Sequence, residues 1–239
     1  MKKKNLIYTV IFLLLIGISI YCGYKIYSKY KKKNIAEKMN PIIKVNSNTE
    51  NIIAKTQKKY NNEDIIGILN IANMDVIVVQ GSDNKFYLNH LLNKEQNPAG
   101  SIFLDYREKI DTSKQLNIFG HSSDYYDLPF NNLMKYMNYD FYQNNKYVTL
   151  TTNEHIYKYE IFSVKKTEEE EHLKISFNSS EEYENHLKEL KYDSLYETNV
   201  NIEPSDKILI IQTCIINDPK SLLIINLRKV EKEWKNSTN

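Results

Sequence analysis

The chain has 239 residues, of which 41% are hydrophobic and 26% are charged, and its 19 Tyr and 8 Phe supply material for a folded core. This balance excludes a disordered chain, and the small numbers of Gly and Pro, six and five, exclude collagen-like and Pro-rich architectures. Two Cys exclude a disulfide-stapled scaffold and a multi-Cys zinc site.

The net charge of +2 hides an uneven distribution along the chain. Residues 1–33 contain eight Lys and no acidic residue, so the remaining chain holds 24 basic against 30 acidic residues, a net charge of −6. A nucleic-acid-binding protein concentrates positive charge on its folded part. We therefore expect no nucleic-acid partner.

Residues 6–24 form an apolar run, LIYTVIFLLLIGISIYCGY, without a formal charge. A helix of this length, at about 1.5 Å per residue, nearly spans a hydrocarbon core of roughly 30 Å. A cleaved signal peptide has a similar basic start, but no A-x-A-like site follows here. Cys22 raises the option of a lipoprotein, yet the bulky Tyr21 precedes it where a small residue is needed. We expect a retained membrane anchor, and Lys residues on both sides leave its orientation open.

The remainder of the chain has the texture of a stalk followed by an all-β domain. The stalk is polar, with a predicted helix around residues 49–60, and short apolar runs separated by turn signals begin after it. The predicted strands are residues 65–71, 75–80, 101–105, 115–119, 147–151, 155–164, 207–213 and 222–227. Residues 129–137 and 180–195 have helical patterns.

Eight strands with one inserted helix suggest a mainly β fold, a closed or nearly closed barrel. The run KILIIQTC is apolar on both faces and predicts a central, buried strand. The expected layout is a tail, a transmembrane anchor, a stalk with a helix, a β domain and a second tail. Their bounds are residues 1–5, 6–24, 25–62, 63–230 and 231–239.

Cys214 is the only thiol beyond the anchor, so it is either an inert core residue or a reactive group. Cys is among the most buried residue types, which favours the first reading. Its position at a strand end, before the turn at residues 217–219, favours the second. Position alone leaves both open.

A Cys nucleophile needs a base, usually His, and the chain has five. We expect His172 and His186 on the solvated surface, His155 in a hairpin turn and His90 in a polar loop. His121 differs because it follows the strand sequence LNIF and a flexible Gly, although an ordinary loop histidine has the same pattern. The His precedes the Cys in the chain, the reverse of the papain order, which disfavours a papain-type protease.

The acidic run at residues 168–171 is a candidate for calcium binding. Consecutive Glu side chains cannot converge on one ion unless the loop folds back, so a solvated loop is the better interpretation. We predict no metal and no cofactor.

The ordered set of segments resembles a sortase, and specifically a class B sortase. It comprises IIGILNIANMDVIVVQGSDNKFYLNH, SIFLDYREK, NIFGHSS, PFNNLMKY and KILIIQTC, preceded by the basic-flanked anchor. The helix-bearing insertion around residues 181–196 favours class B. The resemblance covers roughly residues 64–228.

The resemblance implies a membrane-anchored cysteine transpeptidase on an eight-stranded sortase barrel. Cys214 would attack the carbonyl of a Thr in a sorting motif near the carboxy terminus of a surface protein. His121 would protonate the departing amine and deprotonate the incoming one, which a peptidoglycan precursor or another cell-wall amine would supply. Thr213 matches the family residue before the nucleophile. The resemblance also implies a cytoplasmic amino terminus and a catalytic domain on the cell-wall side of a Gram-positive-type membrane.

One expected residue is missing from its place. The family carries an Arg at the start of the strand after the Cys, where it holds substrate and stabilises the oxyanion, and Leu222 is the best match here. The nearest cations are Lys220, which lacks the planar fork of Arg, and Arg228, about 20 Å along an extended strand from Leu222. Gln212 also stands where small hydroxyl residues are usual.

Two hypotheses follow from this departure. The first is a working sortase with a substituted third residue. The second is a sortase-fold protein that has lost catalysis and acts as a binding or assembly partner. Retention of both Cys214 and His121 at strand ends favours the first.

Overall fold

The structure, a computed structural model, describes residues 2–39, 52–168 and 174–234. Its first helix, α1 (Lys2–Met39), contains an apolar stretch, Tyr8–Ser28, that is long enough to cross a membrane. None of the most apolar part of this stretch is buried against the rest of the protein. By length and composition the helix is compatible with the expected single-pass anchor.

Eight strands in the described residues close into a barrel in the order β1-β2-β3-β4-β7-β8-β6-β5. The strands are β1 Ile65–Ile71, β2 Met74–Val79, β3 Ile102–Leu104, β4 Gln115–Phe119, β5 Tyr147–Thr151, β6 His155–Thr167, β7 Ile208–Ile215 and β8 Asp218–Trp234. The pairs β2–β3 and β4–β7 are parallel, and the remaining pairs are antiparallel. The predicted mainly β barrel is confirmed.

β8 is much longer than the strand predicted at residues 222–227. The apolar pattern ends at Leu227, but the pairing with β6 continues to the pair His155–Trp234. Backbone hydrogen bonding therefore extends the strand through a polar, Lys- and Glu-rich stretch that side-chain alternation does not mark.

β7 lies between β4 and β8 and is covered on both faces, as predicted for a central strand. Its residues Leu209 and Ile211 face the barrel interior, while Ile208 and Ile210 pack outside under helix α4 (Ser180–Lys191). The Ser179 hydroxyl begins α4 by accepting a hydrogen bond from the backbone N–H of Glu182. The inserted helix thus covers the strand that carries Cys214.

Short helices surround the barrel. Helix α2 (Ile52–Tyr60) packs through Ile53 against Ile65 of β1, and residues 49–51 of the predicted helix lie outside the described residues. The predicted helix at 129–137 is a 3₁₀ helix, Pro129–Met137, followed by α3 (Tyr139–Asn144). A further 3₁₀ helix, Phe86–Leu88, lies between β2 and β3.

Candidate active site

Cys214 lies near the carboxyl end of β7, with a partly buried, unoxidised thiol. Side chains alternate along the strand, so Cys214 shares the outer face with Ile208 and Ile210 rather than the barrel interior. The pairing of β7 with β8 shifts register immediately after Cys214. The thiol therefore emerges where the regular strand pairing ends, which favours a reactive group over an inert core residue.

His121 reaches the same edge of the sheet from the neighbouring strand. β4 and β7 run parallel, with Phe119 paired to Gln212, and the Gly120 N–H donates to the Gln212 carbonyl at 3.3 Å. Two residues beyond these partners the chains reach His121 and Cys214. The register thus brings the His and the Cys level with each other at adjacent strand ends.

Gly120 is required for close packing rather than for flexibility. A Cβ at this position would lie 2.6 Å from the Phe130 ring and 2.9 Å from Cγ1 of Ile102. The 3₁₀ helix that contains Phe130 therefore presses directly against the backbone that precedes His121.

The ring of His121 is held from the other side. Its Nε2 lies 2.9 Å from the carbonyl oxygen of Leu88, in the 3₁₀ helix Phe86–Leu88. A carbonyl only accepts, so Nε2 carries the hydrogen and Nδ1 of the neutral ring is the nitrogen that can take a proton. Among the described residues no hydrogen bond joins this ring to the Cys214 thiol.

Sequence comparison identifies the family. A sequence model of the sortase domain matches residues 68–229. The chain belongs to the sortase family. Sortase B of Listeria monocytogenes is 28% identical over 230 residues, covering 90% of this chain and 92% of that protein. Sortase B of Staphylococcus aureus is 27% identical over the same length, covering 90% and 91%.

Structural comparison gives the class. The crystal structure of Clostridium perfringens sortase B superimposes with a TM-score of 0.68 at 31% identity, covering 74% of this chain and 100% of that one. Sortase B from Listeria monocytogenes gives a TM-score of 0.65 at 29% identity. The expected class B sortase is confirmed.

The residue opposite Cys214 is apolar. Leu222 of β8 is the register partner of Cys214, and its side chain lies on the same outer face. The position that the resemblance assigns to the family Arg therefore borders Cys214 directly, but it offers no hydrogen-bond donor.

The structure does not bring Arg228 to the thiol. Arg228 pairs with Ile208 at the start of β7 and binds Glu160 through an ion pair of 2.8 Å. Lys220 is nearer in the chain, two residues before Leu222, and is exposed. Lys166 of β6, which the sequence did not single out, is two strands away and forms a 2.9 Å ion pair with Asp218.

Two polar side chains beside Cys214 lack partners within the described structure. Gln212 stands one pleat before Cys214 on the same face, and its Oε1 is buried without a hydrogen bond. The hydroxyl of Thr213, which faces the other way, is also buried and unsatisfied. A buried polar atom without a hydrogen bond costs free energy in the folded state.

A buried chain of hydrogen bonds runs along the outer face of β4. His186 Nε2 donates to Gln115 Oε1 at 2.7 Å, Gln115 donates to Asn117 at 3.2 Å, and both the backbone N–H and the side-chain amide of Asn117 donate to Glu108. Burial raises the pKa of Glu108 to about 8, opposed by the two hydrogen bonds from Asn117. This chain ties α4 to the loop that follows β3.

The expectations for the other His residues were partly wrong. His186 is 8% exposed rather than solvated, because it lies on the face of α4 that packs on β4. His155 begins β6 and is 3% exposed. His90 stacks on Phe86 in the loop before β3. His172 and most of the acidic run lie outside the described residues.

The described residues contain no group of three or more His, Cys, Asp or Glu side chains that could hold a metal ion.

Proposed function

We propose that this chain is a class B sortase that cleaves a sorting motif after Thr and transfers the new acyl group to a cell-wall amine. The observation that carries the proposal is the position of His121 and Cys214 at the ends of two adjacent parallel strands in a sortase barrel. The substrates would be surface proteins with a sorting signal near the carboxy terminus.

In the proposed mechanism the Cys214 thiolate attacks the Thr carbonyl carbon and forms a tetrahedral intermediate. The peptide C–N bond breaks as His121 gives a proton to the leaving amine, and a thioester remains on Cys214. An amine of a peptidoglycan precursor, or another wall amine, attacks the thioester, His121 takes its proton and the thiolate departs. Since Nε2 of His121 donates a hydrogen bond to the carbonyl oxygen of Leu88, Nδ1 is the atom proposed to carry the transferred proton.

The missing Arg predicts a slow enzyme. Loss of one oxyanion donor typically costs about 10²–10³ in rate, and Leu222 supplies none. We propose Lys220 as the remaining candidate cation, since Arg228 is engaged with Glu160 at the far end of the strand pair.

The second candidate function is a sortase-fold binding or assembly protein without catalysis. The apolar side chain of Leu222 beside Cys214 favours it, because the Arg that the resemblance implies at this position is absent. The retained Cys214 and His121 favour the enzyme.

We further propose that residues 6–24 anchor the chain in the membrane and residues 25–62 form the stalk. The amino terminus, residues 1–5, would be cytoplasmic and the domain at 63–230, with its tail at 231–239, would face the cell wall. The apolar helix Tyr8–Ser28 supports the anchor, and the need of a sortase to meet wall precursors supports the orientation.

The test uses the full-length protein in detergent with peptides whose sorting motifs end in Thr-Gly or Thr-Asn. Mass spectrometry follows cleavage after Thr, with and without hydroxylamine, in the parent, Cys214→Ala, Leu222→Arg and, as an uncharged control, Leu222→Met. Cleavage that disappears in Cys214→Ala supports the transpeptidase. Activity only in Leu222→Arg identifies a degenerate site with an intact remainder. If neither the parent nor any variant cleaves a peptide, the result contradicts the transpeptidase proposal and favours the binding protein.

A further inference from the structure

The parallel pair β4–β7, which carries the proposed catalytic residues, is extended by one hydrogen bond from a side chain. In a parallel pair, backbone N–H groups two residues apart donate to carbonyls two residues apart. The Gly120 N–H donates to the Gln212 carbonyl, so the next acceptor in the series is the carbonyl of Cys214. That acceptor is bound by the side-chain hydroxyl of Ser122.

The loop on the other side of Ser122 is braced independently. The Asn131 side chain accepts from the Ser123 N–H at 2.8 Å and donates to the carbonyls of Ser123 and Tyr126, both at 2.9 Å. The Ser123 hydroxyl accepts from the N–H groups of Tyr125 and Tyr126. The loop after His121 is therefore a fixed unit, and the Ser122 hydroxyl is the side-chain link from that unit to β7.

We propose that Ser122 is a positioning residue of the site, whose hydroxyl ties the loop carrying His121 to the main chain of the nucleophile. This inference rests on the proposed function. The ring of His121 is anchored to Leu88 on one side, and the residue directly after it is anchored to Cys214 on the other. Together the two contacts fix how far the imidazole stands from the thiol.

A fixed separation matters because no hydrogen bond joins the His121 ring to the Cys214 thiol among the described residues. The pair cannot hold its own geometry, so neighbouring contacts must do so. Displacement of a catalytic group by about 1 Å can cost roughly 100-fold in rate. The Ser122 hydroxyl acts on kcat by this route, without touching substrate.

The experiment measures alkylation of Cys214 by iodoacetamide from about pH 5 to about pH 10, the range in which His and Cys titrate. The full-length protein in detergent carries Cys22→Ser throughout, so that Cys214 is the one thiol. The variants are Ser122→Ala, Ser122→Thr, His121→Ala and Ser123→Ala. Ser123→Ala is the matched comparison, because it removes a hydroxyl that braces the same loop without contacting Cys214, and so separates loop bracing from the direct tie to β7.

We expect His121→Ala to change the pH dependence of the Cys214 alkylation rate. Ser122→Ala is expected to shift that dependence toward the one measured for His121→Ala. Ser122→Thr, which keeps the hydroxyl, is expected to keep the parent profile, and Ser123→Ala is expected to change it less than Ser122→Ala does. With a cleaved peptide, Ser122→Ala is expected to lower kcat by about 10- to 100-fold while KM changes less than about threefold.

The proposal is overturned if Ser122→Ala keeps the parent alkylation profile, or if its profile matches that of Ser123→Ala. The alkylation arm needs no peptide turnover. A parent that cleaves no peptide but shows the Ser122-dependent profile would therefore contradict the proposed transpeptidase and leave the positioning role supported.

Discussion

Leu222 borders Cys214, the proposed nucleophile, because the two residues are register partners across β7 and β8. An apolar side chain there packs beside Ile224 and under α4, but it cannot donate to an oxyanion. The neighbouring Gln212 adds a buried acceptor without a partner. These two positions, rather than Cys214 or His121, distinguish this site from the family pattern.

Glu108 makes the stability of the protein depend on pH. Its side chain is buried, and burial raises its pKa to about 8 in the folded protein. The folded state therefore holds a proton that the unfolded state has lost, so the free energy of unfolding decreases as the pH rises from about 4.5 to about 8. Each pKa unit corresponds to about 1.4 kcal/mol.

Glu108→Gln is expected to remove this decrease, because the amide does not titrate. Chemical denaturation at both ends of that pH range measures the effect, with Glu95→Gln as the control at an exposed carboxyl. Equal pH dependence in the parent and in Glu108→Gln would show that the pKa of Glu108 is the same in the folded and unfolded states.

At the scale of elements, the contact between β4 and the 3₁₀ helix Pro129–Met137 decides where His121 stands. Gly120→Ala would bring a Cβ to 2.6 Å from the buried Phe130 ring, so one of the two elements must shift. We expect a loss of about 1–3 kcal/mol in the free energy of unfolding, the usual cost of overpacking. Thermal or chemical denaturation measures it.

Phe130→Leu provides the matched test of that cause. If the clash is responsible, the double variant Gly120→Ala with Phe130→Leu is less destabilised than the sum of the single changes. Additive losses would assign the cost to the backbone of Gly120 instead.

The elements were largely predictable because their apolar patterns are strong. β1, β4 and β5 have the predicted bounds, since alternation and turn residues mark both of their ends. β8 was underestimated because its second half is held by pairing with β6 and carries no apolar pattern. His186 was misplaced although its spacing was informative: it stands three residues after Tyr183 and four before Leu190, on the apolar face of α4.

At the scale of the whole molecule, the candidate active site depends on pairing between strands that are distant in the chain. β4 and β7 are separated by two further strands and α4, yet their parallel register sets His121 level with Cys214. Residue patterns predict strands but not which distant strands pair, so proximity of the two residues came from the family resemblance. Neither the hydrogen bond from Ser122 to the Cys214 carbonyl nor the buried hydrogen bonds that link His186 to Glu108 could be predicted from the sequence, because each depends on how the elements pack.

The charges beside the apolar helix do not favour one membrane orientation over the other, because Lys residues flank both of its ends. We expect the barrel to face outward. In a background of Cys22→Ser and Cys214→Ser, a single Cys is placed in the exposed loop before β3, Asn93→Cys, or before the anchor, Lys3→Cys. A membrane-impermeant maleimide is then added to intact cells and, separately, to lysed cells.

The thiol of Asn93→Cys should be labelled in intact cells, whereas that of Lys3→Cys should be labelled only after lysis. The physical reason is that the helix Tyr8–Ser28 is long enough for a single crossing, so the two ends of the chain must lie on opposite sides. Labelling of Lys3→Cys alone would invert the orientation and remove the barrel from the wall precursors it is proposed to use. Labelling of both in intact cells would contradict a single crossing.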